Sequence, residues 1–348
     1  MIQNKATYLQ YQLNNPKSLP IHVKKKFKFS WDEFFLDNDN IYNIQTGTAF
    51  YNETGSNDFY IFSCFFINCK ENGAIYIKRS DQICTLLEYS GFSNCSSALD
   101  EGGGSVFYNC EEGQFVQKLT CYYKSIADTY NMAFFQCVKN SDTNKNYAFD
   151  VSVSNCGDIE SDRLETFNIN SGVVNISKIN STNNECKEHS SMYFYLYGSS
   201  GSCSFSTFRE NKQTQDGSIS VIGSRTTSTV SYCNIIGNEC GTGNDQSVFY
   251  CDINTNVDHC VFLNNTAKYT FKMFSSRRTL TISDSYVDTP TTKQGGIYNF
   301  VNPTDKYNFN NFTHFYIPNC ILEQKEFTIK MYFLSKFAET ASPSLFSS

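Results

Sequence analysis

The sequence has few of the features that mark the common classes of enzymes and membrane proteins. It contains one tryptophan and four histidines among 348 residues, and only 18% of its residues are charged. It has no Cys-x-x-Cys pair, phosphate loop, nucleophile elbow or dinucleotide fingerprint. No run of about 18 apolar residues occurs, so we expect no membrane-spanning helix in this chain. The formal charge of −6 disfavours a nucleic-acid partner.

A short frame of the form apolar-x-x-Ser/Cys-x-apolar-x-x-polar recurs along the chain. It reads Val257, Cys260, Phe262, Asn265, and a step of 27 residues towards the N-terminus gives Val230, Cys233, Ile235, Asn238. Further copies begin at Ile61, Leu87, Val151, Val174, Cys203 and Leu280. A constant period in this range is typical of repeat architectures. The gap between Leu87 and Val151 leaves room for two more units whose frames the sequence does not locate.

A second short apolar run follows each copy after a turn-forming stretch. Examples are Gly73-Ala74-Ile75-Tyr76, Ser191-Met192-Tyr193 and Gly217-Ser218-Ile219. Both runs are short, rich in β-branched and aromatic residues and alternating, which is typical of strands. Two or three short strands per ~27 residues predict an all-β, right-handed parallel β-helix in which each repeat forms one coil. We expect roughly ten coils and a length of about 50 Å at ~4.8 Å per coil.

Stacking of equivalent residues explains the columns of the frame. We expect Phe66 to lie over Phe92, and Phe208, Ile235 and Phe262 over one another, in the core. The Ser/Cys column, which holds serine or cysteine in all eight copies, predicts a place where the coil is too narrow for a larger side chain. Asn211, Asn238 and Asn265 are predicted to lie at a corner, in the left-handed conformation, with each amide bonded to the next copy.

These residues resemble a known repeat. Phe65-Phe66-Ile67-Asn68 followed by Asn72-Gly73-Ala74-Ile75, and Phe208-Arg209-Glu210-Asn211 followed by Asp216-Gly217-Ser218-Ile219, resemble the polymorphic outer-membrane-protein repeat family and the β-helix surface proteins of some protists. The resemblance covers roughly residues 46–310. It implies a surface or secreted β-helix, adhesin-like in character, and it implies no catalytic residue.

The ends are predicted to differ from the repeats. We assign residues 1–45 to an N-terminal lead and cap, 46–334 to the β-helix and 335–348 to a flexible tail. Ser30 and Glu33 have the spacing of a capping box, so a short helix is expected to cover the first coil, and a last strand is expected over 327–334. The first twenty residues are polar and show no signal peptide. Six sequons favour a secreted or surface location, at Asn52, Asn94, Asn175, Asn180, Asn264 and Asn311.

The fifteen cysteines are interpreted as small apolar residues rather than as a disulfide framework or a zinc site. Several occupy repeat columns, no close ligand pair occurs, and the histidines are far apart in the sequence. Cys233 and Cys260 share a column. We expect both thiols to be buried and reduced, because closing a bond between neighbours on parallel strands would pinch the coils together.

The enzymatic alternative is carbohydrate chemistry, because pectin lyases and hydrolases use this fold. Asn254-Thr255-Asn256 has an amide where a polygalacturonase has a carboxylate. Asp258-His259 faintly resembles a pectate-lyase strand. In the predicted frame Asp258 stacks on Ser231 and Thr281, and Asp288 stacks on Asn265, so no acidic pair forms on adjacent coils. The acidic run at 158–162 is read as a solvated loop, with a loosely held calcium as the alternative.

The sequence therefore predicts no catalytic, cofactor-binding or metal-binding residue. The expected function is that of a non-catalytic surface or secreted β-helix that binds a protein or glycan partner, with no nucleic acid and no membrane span. The alternative is a β-helix polysaccharide lyase or glycoside hydrolase with a non-standard site. A purely structural spacer is a third interpretation.

Overall fold

Short strands that alternate inward and outward residues build nearly all of the described chain. The computed structural model describes residues 28–36 and 40–311, except 101, 160–163, 198–199, 224–225 and 244. The solenoid lies within the compact unit Phe34–Ile317. Helix α1 (Lys28–Phe34) lies in a second unit as far as Glu33, and its last residue belongs to the first. Among the described residues, no helix is long and apolar enough to span a membrane.

The strands follow one another in chain order as follows. Those of the first half are β1 Ile41–Ile44, β2 Phe50–Asn52, β3 Asp58–Phe62, β4 Phe65–Ile67, β5 Ile75–Arg79, β6 Cys84–Glu88, β7 Gly91–Ser93, β8 Ser96–Ser97, β9 Val106–Glu111, β10 Gln114–Tyr123, β11 Ile126–Ala127, β12 Phe134–Lys139, β13 Lys145–Ser154, β14 Phe167–Asn170 and β15 Val173–Ser177. Those of the second half are β16 Asn180–Thr182, β17 Glu185–Cys186, β18 Met192–Leu196, β19 Gly201–Ser204, β20 Thr207–Arg209, β21 Lys212–Gln213, β22 Gly217–Gly223, β23 Thr227–Ser231, β24 Asn234–Ile236, β25 Ser247–Cys251, β26 Asn254–Asp258, β27 Val261–Leu263, β28 Tyr269–Met273, β29 Thr279–Ser283, β30 Tyr286–Val287 and β31 Ile297–Val301.

All but four of these strands stack into three parallel sheets, which confirms the predicted right-handed parallel β-helix; the other four form two short parallel pairs, β8 with β11 and β17 with β21. Sheet 1 contains β1, β3, β6, β10, β13, β15, β19, β23, β26, β29 and β31. Sheet 2 contains β4, β7, β16, β20, β24, β27 and β30, and it joins sheet 1 because β10 and β13 run on around the corner. Sheet 3 contains β2, β5, β9, β12, β14, β18, β22, β25 and β28.

Eight turns have strands in sheet 1 and sheet 3 between Asp58 and Met273, beginning with β3, β6, β10, β13, β15, β19, β23 and β26. A shorter turn flanks each end. The predicted ten coils were therefore slightly too many. The first paired strand begins at Ile41, just before the predicted boundary at residue 46. The predicted last strand at 327–334 and the tail at 335–348 lie outside the described residues.

The core consists of inward residues that stack from coil to coil. Phe66 pairs with Phe92, and their rings are 5.0 Å apart and parallel within 1°. Phe92 continues the stack to Tyr122 at 4.8 Å. Phe208, Ile235 and Phe262 also occupy one column, as predicted, and all three are fully buried. Burial of these large side chains supplies the main favourable contribution to folding.

The repeat frame was wrong in three of the eight copies. The strand pairs put Ala148, Ile176 and Ile282 in the first column, rather than Val151, Val174 and Leu280. The column predicted to hold only serine or cysteine therefore contains Thr120, Val151 and Ile179 in the third, fourth and fifth turns. Because valine and isoleucine fit in this column, a narrow coil does not explain why most copies have serine or cysteine there.

Hydrogen bonding at the corner between sheets 1 and 2 explains the small residues better. The residue immediately before the Ser/Cys position has a left-handed backbone, as at Phe205 (φ 52°) before Ser206 and Tyr232 (φ 53°) before Cys233. That bend interrupts the backbone hydrogen bonds between neighbouring coils. The N–H of the following residue loses its carbonyl acceptor, and a side chain from the next coil replaces it. Ile179 N–H donates to Ser206 Oγ at 3.0 Å, and Cys260 N–H donates to Ser285 Oγ at 2.9 Å. Serine and cysteine carry an acceptor short enough to reach this position.

The asparagine column is a buried ladder. Asn211 N–H and Nδ2 donate to Asn238 Oδ1 at 3.1 and 3.2 Å, and the same groups of Asn238 donate to Asn265 Oδ1 at 2.9 Å each. The predicted stacking and amide bonding are confirmed. The predicted left-handed conformation was wrong by one residue, because positive φ occurs at the preceding Glu210, Gly237 and Asn264.

Replacing one rung of this ladder is expected to be costly. In Asn238→Ala, the buried N–H of Asn211 loses its acceptor and Phe208 O loses the Asn238 Nδ2 donor at 3.0 Å. We expect the free energy of unfolding to fall by about 2–4 kcal/mol, since an orphaned buried group costs ~1–3 kcal/mol. Urea denaturation measures it. The neighbouring Asn264 is exposed and left-handed, so Asn264→Gly is the control, with a change within about 0.5 kcal/mol. Equal effects of the two substitutions would contradict the ladder.

Helix α1 exists, but Ser30 lies inside it and does not precede it as a cap. The Phe34 ring lies 6.1 Å from that of Phe149, and Lys118 Nζ lies 5.5 Å from the Phe34 ring. Both partners belong to β10 and β13. These contacts place Phe34 on the third and fourth turns. The predicted cap over the first coil stays a prediction.

The thiol prediction is confirmed for Cys233 and Cys260. Both are free and buried, and Cys233 N–H donates to Cys260 Sγ at 3.4 Å. Burial raises the pKa of Cys233 well above its ordinary value. The column thus uses sulfur as a small acceptor and not as a cross-link.

Candidate functional site

The residues that the sequence singled out lie on the corner between sheets 1 and 2. Asp258 pairs with Ser231, as predicted, but on its other side with Ser283 and not Thr281. Asp258 accepts from Ser283 Oγ at 2.7 Å and contacts His259 Nδ1 at 2.8 Å. These hydrogen bonds lower the pKa of Asp258, against a raising effect of burial that is the largest single influence.

The prediction that no acidic pair forms on adjacent coils was wrong. Ligand atoms of Asp258, His259 and Asp284 lie within 4.8 Å of one another. The error follows from the shifted frame at Leu280, because the true register brings Asp284 next to His259. Asp288 does not stack on Asn265; its carboxylate accepts from Asn264 N–H at 2.6 Å. Of the acidic run at 158–162, residues 160–162 lie outside the described residues.

This corner also carries an aromatic stack. The rings of Phe205, Tyr232 and His259 follow one another at 5.2 and 4.9 Å, with interplanar angles of 10° and 22°. Phe205 and Tyr232 are 42% and 37% exposed. Tyr232, the middle ring, is covered on both faces by its neighbours and therefore presents mainly its edge to solvent.

A second polar cluster, which the sequence reasoning missed, lies at the start of sheet 3. Met192 pairs with Ile219, so His189 and Asp216, three residues before them, occupy equivalent positions in successive coils. Ligand atoms of Glu188, His189 and Asp216 lie within 4.8 Å of one another. On the preceding coil Thr166 N–H donates to His189 O at 3.3 Å. The neighbouring Glu165 feels the charge of Glu188, so its side chain lies near this cluster.

His189 is buried and held in a fixed orientation. Its Nδ1 contacts Gly217 O at 2.9 Å and Ser220 Oγ at 2.7 Å, and its ring lies 4.8 Å from that of Tyr193. Its Nε2 lies 3.8 Å from Glu188 Oε2. Burial lowers the pKa of His189, and the neighbouring carbonyl and carboxylates oppose that effect.

Glu165 is also buried, with 8% of its surface exposed. Burial, assisted by the charge of Glu188, raises its pKa to about 8. Its Oε2 has no hydrogen-bond partner, and the same is true of Asn168 Oδ1 three residues later. Buried oxygens without a donor are rare in folded proteins.

An open cleft of about 570 Å³ lies beside the Glu188–His189–Asp216 cluster. Glu188, Asp216, Asp245, Gln246, Lys272 and Phe274 are among its lining residues. Lys272 is largely buried; its Nζ lies 2.9 Å from Asp216 Oδ1, 3.0 Å from Asp245 O and 4.8 Å from the centre of the Tyr250 ring. Asp245 also pairs with Lys293, whose hydrogen bond lowers the pKa of Asp245. The cleft thus offers fixed charges of both signs and amide groups.

The sequence did contain a signal for this site. The runs at Ser191 and Gly217 read as equivalent strands, and the residues just before them put His189 and Asp216 in one column. The repeat frame predicted at Val174 was two residues out of register, so it did not reveal this column. No such signal marks Glu165 in the sequence, because it is distinguished only by its burial and its unpaired oxygen.

Comparison with known proteins adds little. No family model matches the chain, and no curated protein matches it. Among solved structures, the endo-xylogalacturonan hydrolase from Aspergillus tubingensis is similar over 78% of this chain and 91% of its own, at 13% identity and a TM-score of 0.23. Such a likeness carries no argument about activity. The assignment of this chain to the parallel β-solenoids therefore rests on its own strand pairing, and the likeness to the polymorphic outer-membrane-protein repeats stays a resemblance.

Proposed function

We propose that this chain is a non-catalytic surface or secreted β-solenoid that binds a glycan in the cleft beside sheet 3. The cleft itself is the observation that carries the proposal. Hydroxyl groups of a sugar are donors and acceptors at once, so they suit a site that presents carboxylates, amides and ammonium groups together. Lys272 is held by Asp216, Asp245 and Tyr250, so these groups are fixed before a ligand arrives.

Phe274 adds an apolar contact at the edge of the cleft. Its side chain is 76% exposed, the most of any large apolar residue on the described coils from Ile41 onwards. An exposed aromatic ring offers a large, rigid apolar surface to a partner. The C–H face of a sugar ring is apolar and packs well on the face of an aromatic ring, whereas Tyr232 in the other corner has both faces covered by neighbouring rings.

The arrangement of the carboxylates supports binding rather than hydrolysis. A glycosidase needs two carboxyl groups, one that donates a proton and one that acts as base or nucleophile. In the cleft, Asp216 and Asp245 are both engaged by lysines, so neither is free for such a role.

A glycan array followed by calorimetry tests the proposal. We expect binding without turnover, and about tenfold weaker binding for Phe274→Ser, equivalent to ~1.4 kcal/mol. The matched control is Phe205→Ser, which removes an exposed aromatic residue from the other corner and is expected to leave affinity unchanged. Loss of binding in the Phe205 variant only would contradict the location of the site.

The same samples test the enzymatic alternative. Wild-type protein incubated with each bound glycan, and with polygalacturonate, is expected to release no reducing ends or unsaturated products. Turnover that Asp216→Asn or Asp258→Asn abolishes would contradict the non-catalytic assignment and identify which corner acts.

A further inference from the structure

We propose that Glu188, His189 and Asp216 bind one Zn²⁺ ion at the wall of the cleft. Their ligand atoms, one nitrogen and two carboxylate oxygens, lie within 4.8 Å of one another. Imidazole and carboxylate are donors that zinc prefers, at about 2.0–2.2 Å. The inference goes beyond glycan binding and does not depend on it.

The hydrogen bonds of His189 select the ring nitrogen that faces the ion. Gly217 O can only accept, so at 2.9 Å it requires the hydrogen to be on Nδ1. In the neutral ring the lone pair is then on Nε2, the atom 3.8 Å from Glu188 Oε2. Histidines that bind metals donate their other N–H to a carbonyl or carboxylate in this way.

The distance between Nε2 and Glu188 suits a shared ion better than a direct contact. At 3.8 Å the two atoms are too far apart for a hydrogen bond. An ion about 2.1 Å from each spans that separation at a wide ligand–metal–ligand angle. Lys272 occupies one oxygen of Asp216 at 2.9 Å, and a carboxylate has a second oxygen for the ion.

A second observation supports a cation at this end of sheet 3. Glu165 and Asn168, on the preceding coil, are 8% and 7% exposed, and each has a buried oxygen without any donor. Asn168 pairs with Tyr193, whose ring contacts His189, and Thr166, the residue after Glu165, donates its N–H to His189 O. Positive charge at the Glu188–His189–Asp216 cluster would stabilise both oxygens electrostatically.

The other acidic cluster lacks these properties. At Asp258, His259 and Asp284, the histidine Nδ1 already contacts Asp258 Oδ2 at 2.8 Å, and Asp258 Oδ1 accepts from Ser283. His259 is exposed, and no buried oxygen without a partner adjoins it among the described residues. His259 therefore provides a matched control for His189.

Titration calorimetry of the full-length chain, freed of metal by a chelator and dialysed, tests the site with Zn²⁺ alone. We expect one equivalent to bind. His189→Gln is expected to weaken binding at least 100-fold, and His259→Gln to leave it unchanged. Absence of saturable binding in the wild type, or loss in the His259 variant only, would overturn the proposal.

Two further measurements keep the test decisive. Co²⁺ in place of Zn²⁺ gives visible absorption bands that report nitrogen and carboxylate coordination, and we expect His189→Gln to lose them. If His189→Gln does not fold, as judged by circular dichroism, Asp216→Asn replaces it, because that side chain is partly exposed and keeps its shape. Unchanged Zn²⁺ affinity in Asp216→Asn would overturn the assignment.

Discussion

The folded chain is expected to lose its stability between about pH 9 and pH 10.5. Burial raises the pKa of Cys110, Cys137, Cys156, Cys240 and Cys251 from an ordinary value of 9.0 to about 12. Above pH 9 the unfolded chain releases these protons while the folded chain retains them. The unfolded state then binds fewer protons, so the free energy of unfolding falls as pH rises.

The expected loss is large. At pH 10 each such thiol costs about 1.4 kcal/mol, and five together cost on the order of 7 kcal/mol, which is comparable with the whole stability of a typical domain. Below pH 9 the effect vanishes, because both states keep the thiol proton. Urea denaturation followed by circular dichroism, at half-unit steps from pH 7.5 to 10.5 with reductant present, measures it.

Single substitutions separate this effect from general alkaline denaturation. Cys251→Ala is expected to reduce the slope of stability against pH above 9 by about 1.4 kcal/mol per unit. Cys69 is only partly buried, so Cys69→Ala serves as the control. A wild-type stability that is flat between pH 8 and pH 10 would contradict the burial of these thiols.

Phe92→Ala is expected to lower the free energy of unfolding by about 3–5 kcal/mol, the usual cost of truncating a buried phenylalanine. Phe92 is 2% exposed and is the middle ring of the Phe66–Phe92–Tyr122 stack. Its removal leaves a cavity that two neighbouring coils cannot close without breaking the register of sheet 2.

Tyr232→Ala is the matched control for this substitution. Tyr232 is also the middle ring of a stack, but that stack lies on the outer surface of the solenoid and Tyr232 is 37% exposed. We expect a loss of less than about 1 kcal/mol, because removing a partly exposed side chain forfeits little buried area. Comparable losses for the two variants would contradict the assignment of inner and outer faces.

The sequence predicted the fold well because the later coils keep a constant length. The frames at Cys203, Val230 and Val257 are 27 residues apart, and all three are in the true register. In the third and fourth turns, β10 and β13 run through the corner and the spacing changes to 30 and 31 residues. A coil can lengthen by a few residues at little cost in free energy. The sequence therefore needs no compensating residues there, and its composition does not mark the longer coils.

The candidate site was not predicted because it depends on register more strictly than the core does. Interior columns accept any apolar residue, so Val151 and Ile179 replace serine without changing the fold. A polar cluster requires particular atoms to meet, and a shift of two residues at Val174 or Leu280 separates them. The orphan oxygen of Glu165 follows from burial, which a single sequence does not show.

The central claim, that the coils stack in the register described, is tested most directly by a crystal structure of this chain. The account predicts Asn211, Asn238 and Asn265 in one buried column, with neighbouring Cα atoms about 4.8 Å apart, as parallel strands require. It also predicts His189 next to Asp216 in successive coils. A separation beyond about 10 Å between any of these neighbours would contradict the register, and with it the cleft and the site.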